Sequence, residues 1–189
     1  MKKGIVFIIA IVIIIAVIAG VVMSSYNGFV DSQESVNNAK SEIGVQLQRR
    51  ADLIPNFVAT VKGYSDYEQS TLTAVTEARA AAGKATTVSE IEDANAQLDK
   101  AISVWVNAVT EAYPDLKANT QYVALQDELA GTENRIATSR RDYNNVAKEY
   151  NTKVRKFPSN IIAGMFGFSQ VEYFKESENA SEVPIVSFN

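Results

Sequence analysis

The sequence predicts an all-α protein: an N-terminal transmembrane helix, then an antiparallel four-helix bundle, then an irregular C-terminal tail. Three observations predict it. Residues 4–23 carry no charge and are apolar throughout. Beyond them, apolar side chains recur in heptad steps across residues 26–64. A second, cleaner seam of the same kind runs from Tyr122 to Tyr150.

The first element follows from length. As a helix, residues 5–23 rise roughly 28 Å, about the thickness of a bilayer's hydrocarbon core. A cleaved signal peptide is the competing reading. Against it, the run exceeds the usual ~7–15 residue core of a signal peptide, and no A-x-A site precedes Ser24. The lipid bilayer is therefore the first expected partner.

The next stripe comprises Tyr26, Phe29, Val36, Ile43, Leu47, Ile54, Phe57, Val61 and Tyr64, with Gln33, Lys40 and Arg50 in its remaining positions. It predicts one helix of roughly 38 residues, about 57 Å long, which can run on from the membrane span. Gly63 and Tyr64 end it, and Ser65, Asp66, Tyr67 and Glu68 read as a capping box for a short second helix. That helix, about residues 66–82, places Tyr67, Thr71, Val75, Ala78 and Ala82 on one face. After a GKATT linker, Thr87, Val88, Ser89 and Glu90 open a third helix with a stripe of Ile91, Ala94, Leu98, Ala101, Trp105, Ala108 and Ala112. Pro114 and Asp115 close it.

The fourth helix steps by three and four through Tyr122, Leu125, Leu129, Thr132, Ile136, Ser139, Tyr143, Val146 and Tyr150. Small polar residues at Thr132 and Ser139 leave room for larger side chains opposite. From Phe157 the pattern breaks at Pro158, Gly164 and Gly167, and an acidic KESENASE stretch precedes VPIVSFN. Domain bounds follow: anchor 1–24, helical bundle 25–156, and a tail 157–189 that either packs on the bundle through Phe166, Phe168, Tyr173 and Phe174 or is partly disordered. The tail's Asn179-Ala180-Ser181 matches a glycosylation acceptor and is read as chance.

Composition narrows the chemistry. With no cysteine and no histidine there is no disulfide, thiolate nucleophile, Cys/His zinc site or imidazole base. Nothing calls for a cofactor or a metal, and an enzyme would have to work with carboxylates alone. A net charge of −4, from 18 basic and 22 acidic residues, leaves no electrostatic footprint for nucleic acid. Lys2 and Lys3 precede the span and the first basic residue after it is Lys40, so the positive-inside rule favours an exported body.

The segment VQLQRRADLIPNFVATVKGY breaks helix rules inside an unbroken pattern. Arg49, Arg50 and Asp52 sit among apolar residues, and Pro55 beside Asn56 removes a hydrogen bond to Ala51. Arg50 is on the seam and Pro55 is off it. A seam arginine needs a carboxylate, for which Asp52, Glu77, Asp127, Glu128, Glu133 and Asp142 are the candidates. Arg79, Arg135, Arg140 and Arg141 extend a register-fixing ion network, and the alternative is an anion- or peptide-binding arginine pair. Tyr143-Asn144 and Tyr150-Asn151, seven residues apart, share a face and could complement the backbone that Pro55 opens.

The blocks QLQRRADLIPNFVATVKGY, TEAR (holding Glu77 and Arg79), YPDLKAN, LQDELAGTENRIATSRRDYNNVAKEYN and FPSNIIA, in this order, closely resemble the LemA family of bacterial membrane-anchored helical proteins. The resemblance covers almost all of the chain beyond the anchor. Relatives commonly carry a histidine where Ala51 stands here, and its absence favours a structural role for the block. LemA-type proteins have been described with a short outside N-terminus, against the charge argument.

What the resemblance implies is a LemA-like bundle in the bacterial cell membrane, a single-pass, non-enzymatic adaptor or scaffold. Neighbourhood to an HtpX-type membrane protease suggests that partner and a link to envelope quality control, on association alone. A homo-oligomer is compatible with the seams. The rival is a membrane-linked sensor binding a ligand or peptide between helices.

Overall fold

Helix α1 (Lys2–Lys62) takes in both the apolar run and the first heptad stripe without a break, in a computed structural model that describes residues 2–62 and 69–175. Four further helices follow: α2 (Gln69–Ala82), α3 (Val88–Ala112), α4 (Thr120–Arg155) and α5 (Ser159–Phe166). A 3-10 turn, Pro114–Ala118, stands between α3 and α4. No strand occurs among the described residues. The expected helix end at Gly63-Tyr64, the capping box of residues 65–68, the KESENASE stretch beyond Lys175 and the Asn179 motif lie outside them.

The chain divides into two compact units: Met1–Leu47 with Glu133–Glu172, and Gln48–Thr132 with Tyr173–Asn189. In the first, the N-terminal part of α1 is long and apolar enough to cross a membrane, and its apolar side chains are exposed, Phe7 and Val6 by about two thirds. Past that run the stripe turns inward, burying Phe29, Val36 and Ile43. From α4 the same unit buries Ile136, Ser139, Tyr143, Ala147 and Tyr150. Helix α5 corrects part of the expectation of an irregular tail, while residues 168–175 are irregular as expected. It ends at Gly167, whose φ of 79° is the left-handed conformation that glycine adopts without strain, and Phe168 N–H returns to the Ala163 carbonyl.

In the second unit, four helical stretches feed one apolar core. Ile54, Phe57 and Val61 come from α1, Val75 and Ala78 from α2, Leu98, Ile102, Trp105 and Val109 from α3, and Tyr122 and Leu129 from α4. Leu116 of the 3-10 turn joins them. Helix α3 opens as its sequence predicts. Thr87 Oγ1 accepts from Glu90 N–H, and the Glu90 carboxylate accepts from the N–H groups of Thr87 and Thr86. Those backbone bonds, with one from the Thr86 hydroxyl, hold the Glu90 carboxyl down at about 2.

The buried face of α3 differs from its predicted stripe. Ala101 is half-buried, Ala108 likewise, and Ala112 is exposed, whereas Ile102, Val109 and Asn95 are buried. A straight helix drifts from a seven-residue repeat by ~20° per heptad, so residues one position along take over the core.

Candidate functional site

The site is built around the proline that the sequence placed inside a helix. Pro55 has no N–H, so the Ala51 carbonyl four residues earlier loses its helical donor. Arg79 supplies a replacement: its Nε donates to Ala51 O at 2.8 Å, from a half-buried position on α2. Tyr143 and Asn151 bond the chain near Val171 and Glu172. The Tyr143 hydroxyl donates to Glu172 O at 3.0 Å, and burial, then the Glu172 charge, pushes that hydroxyl's pKa up. Asn151 makes a two-way pair with Val171, Nδ2 to its carbonyl and Oδ1 from its N–H, both at 2.8 Å. Together they bind the backbone that follows α5. Tyr150 is buried, which also raises its pKa, and Asn144 is half-buried.

One turn before Pro55, Arg50 is buried, with 5% of its surface exposed. Its Nη1 donates to Asn95 Oδ1 at 3.0 Å, and its Nη2 forms an ion pair with Asp99. Asn95 Nδ2 closes the triangle by donating to Asp99 Oδ2 at 3.1 Å. The carboxylate bonded to Arg50 is thus one that the six proposed candidates did not include. Of those, Asp52 is exposed and accepts from Gln48 Nε2, and Glu77 lines a groove of about 640 Å³ between α2 and α3. Sequence reasoning missed Asn95 and Asp99, although one signal was present. Asn95 occupies an apolar-stripe position four residues after Ile91 and three before Leu98, where a polar side chain needs a polar partner.

On the outer surface of α1, Arg49, Asp52 and Asn56 fall at helical spacing and are exposed, as is Pro55 itself. Pro55 also borders a pocket of about 330 Å³ with Ile54, Val58, Leu72, Thr76 and Arg79. The structure therefore divides the predicted residues by role. Arg50 and Arg79 bond across from α1 to α3 and from α2 to α1, and Arg49, Asp52 and Asn56 are exposed. Among the described residues no three carboxylates gather in a way that could hold a metal ion.

Arg79→Met should lower stability by about 1–2 kcal/mol, the cost of an acceptor left short of its donor. In a Pro55→Ala background the cost should fall by about half, because the alanine introduced there has an N–H that can bond Ala51 O. Urea unfolding of the four proteins measures it, and equal losses in both backgrounds would show that Arg79 does not serve that carbonyl.

Comparison with known proteins adds a family. The model of the LemA family matches residues 39–188. Magnetosome protein MamQ 2 of Paramagnetospirillum magneticum is 29% identical over 205 residues, spanning 95% of this chain and 75% of that protein. Protein LemA of Metamycoplasma hominis is 28% identical over 174 residues, with 91% and 78% spanned. Magnetosome protein MamQ of Magnetospirillum gryphiswaldense is 27% identical over 187 residues, with 86% and 68% spanned.

Proposed function

The chain belongs to the LemA family, and from that premise we propose that it is a single-pass, membrane-anchored helical adaptor without enzymatic activity. One observation carries the reading. Of the arginine pair that read as a binding site, Arg50 is engaged inside the fold, as is Arg79, whereas Arg49, Asp52 and Asn56 are exposed along the outer surface of α1, which supports a contact surface. The exposed apolar stretch of α1 supports insertion of residues 5–23 in the bacterial cell membrane. Lys2 and Lys3 before that stretch support an exported body. Four helical stretches meeting in one core support the antiparallel four-helix bundle. An HtpX-type membrane protease and a second copy of the chain are the partners we favour for the strip, in a setting of envelope quality control.

The absence of native cysteine makes the test direct. Asn37→Cys in the full chain should react with a membrane-impermeant maleimide on intact cells, and the chain should resist carbonate extraction. Reaction only after lysis would reverse the orientation, and release by carbonate would end the anchor. In vivo cross-linking should yield a discrete product that Arg49→Glu removes without altering stability. Absence of any product from the wild type would count against an adaptor.

The unbroken course of α1 from the apolar run to Lys62 favours a second reading, a sensor whose ligand-bound body shifts the anchor. Ligand-dependent disulfide formation between cysteines introduced along residues 24–29 would support it.

A further inference from the structure

The segment from Phe157 to Gln170 carries no charge, and it follows a basic cluster of Lys153, Arg155 and Lys156. Its helix α5 is apolar on both sides. Ile162 and Ala163 are buried, while Ile161 and Met165 on the opposite face are 54% and 71% exposed, and Phe157 just before it is 76% exposed. A short helix covered by protein on one apolar face and bare on the other lacks a second apolar neighbour.

Ring contacts within the same unit place the C-terminal end of α5 against α1. Tyr26 follows Met23, the last residue of the apolar run, by three residues, or about 4.5 Å of helix. Its ring meets Phe166 edge-on at 5.0 Å and Phe168 at 5.6 Å, and Phe168 stacks on Phe29 at 5.0 Å. Helix α5 thus sits at the level where the membrane run ends. Lys153 bonds the Ser32 hydroxyl, six residues beyond Tyr26 and about 9 Å further from that run. Apolar and aromatic side chains at the end of a span, with cations just outside them, form the order expected across a bilayer boundary.

We infer that α5 is an interfacial helix: it lays Phe157, Ile161 and Met165 into the bilayer that holds residues 5–23, and Arg155 and Lys156 meet anionic headgroups. The inference rests on the anchor reading and adds a second membrane contact to it. Continuity with the span decides for lipid, because any bilayer around residues 5–23 must end beside α5. The expected depth is about 5–10 Å below the headgroup boundary.

The test uses the full chain in vesicles of equal parts phosphatidylglycerol and phosphatidylcholine, with one introduced cysteine carrying an environment-sensitive fluorophore. At Met165→Cys the emission should be blue-shifted and mostly lost to nitroxide-bearing lipids. At Val104→Cys, on the exposed surface of α3, it should be neither. Val12→Cys, inside the span, separates the two readings. Val12 quenched and Met165 as wet as Val104 overturns the interfacial helix alone, whereas an unquenched Val12 overturns the anchor. A dry Met165 label that lipid nitroxides do not quench would mean a protein contact, and would overturn the inference as well. In vesicles of phosphatidylcholine alone, or with Arg155→Glu and Lys156→Glu, quenching at Met165 should weaken. Quenching insensitive to both changes would overturn the headgroup contact.

Discussion

Asp99→Ala is expected to destabilise the protein by about 3 kcal/mol, more than Arg50→Met, although it removes the more exposed member of the pair. The asymmetry comes from burial. Arg50 has 5% of its surface exposed, so deleting Asp99 strips a bonded carboxylate from a guanidinium that cannot turn to water. Asp99 has 38% of its side chain exposed, so deleting Arg50 lets it rehydrate, at a cost of about 1–2 kcal/mol. The same exposure sets the first figure at the lower end of the range for a broken buried pair.

Arg50→Met with Asp99→Leu removes both charges and nearly keeps the volume at the buried Arg50 position, while the larger leucine can extend at the partly exposed Asp99 position, so the double variant should recover most of the loss. Asn95, which bonds both residues, then keeps polar atoms that must be satisfied. Urea unfolding in detergent measures all three proteins. A loss below about 1 kcal/mol for Asp99→Ala would mean that the triangle does not hold α1 to α3. Arg50 would then return to the list of partner contacts, beside Arg49.

The contrast between these residues and the rest of the fold shows what a sequence carries. The seam of α4 was legible because periodicity is a property of the chain itself: Tyr122, Leu129, Thr132, Ile136, Ser139, Tyr143 and Tyr150 are buried, and the other two predicted positions, Leu125 and Val146, are half-buried. The Thr87–Glu90 capping box was legible because its two partners are three residues apart. Arg50 could be placed on a buried stripe for the same reason. Its partners could not be named, because they lie 45 and 49 residues away on α3, where Ala101 and Ala108 put the predicted stripe one position short of the buried Ile102 and Val109.

The bond from Arg79 to Ala51 O was harder still. Its acceptor is a backbone carbonyl, which every residue has, and only the proline four residues later singles it out. In the tail, Pro158 and Gly167 look in sequence like interruptions of regular structure, whereas they are the two ends of a helix. The proline precedes its first residue, and the glycine supplies the left-handed cap.

Phe57→Ala should have the largest effect of any single substitution in the second unit, a loss of about 4 kcal/mol. Phe57 is 1% exposed and stands at the meeting of three helices. Its ring packs edge-on against Trp105 of α3 at 5.1 Å and stacks on Tyr122 of α4 at 5.0 Å. Truncation loses the transfer energy of the ring and both aromatic contacts, and it leaves a void between two large side chains with little freedom to fill it. Tyr122 is tied by its hydroxyl to Thr110 Oγ1 at 3.0 Å, so its ring cannot slide into the space without breaking that bond. Phe57→Leu keeps much of the volume and should cost about 1.5 kcal/mol.

Trp105 is the chain's one tryptophan, so its emission reports on this core directly, and the Ala variant should shift it to the red even before unfolding. The membrane run lies in the other unit, so the variant should stay bound to vesicles at urea concentrations that have already exposed Trp105. If Phe57→Ala costs no more than Phe57→Leu, the ring is not the keystone of the core, and the four helical stretches must be held chiefly by the polar triangle two turns earlier. Release from vesicles in step with Trp105 exposure would instead show that the anchor depends on the body, which the exposed apolar surface of residues 5–23 argues against.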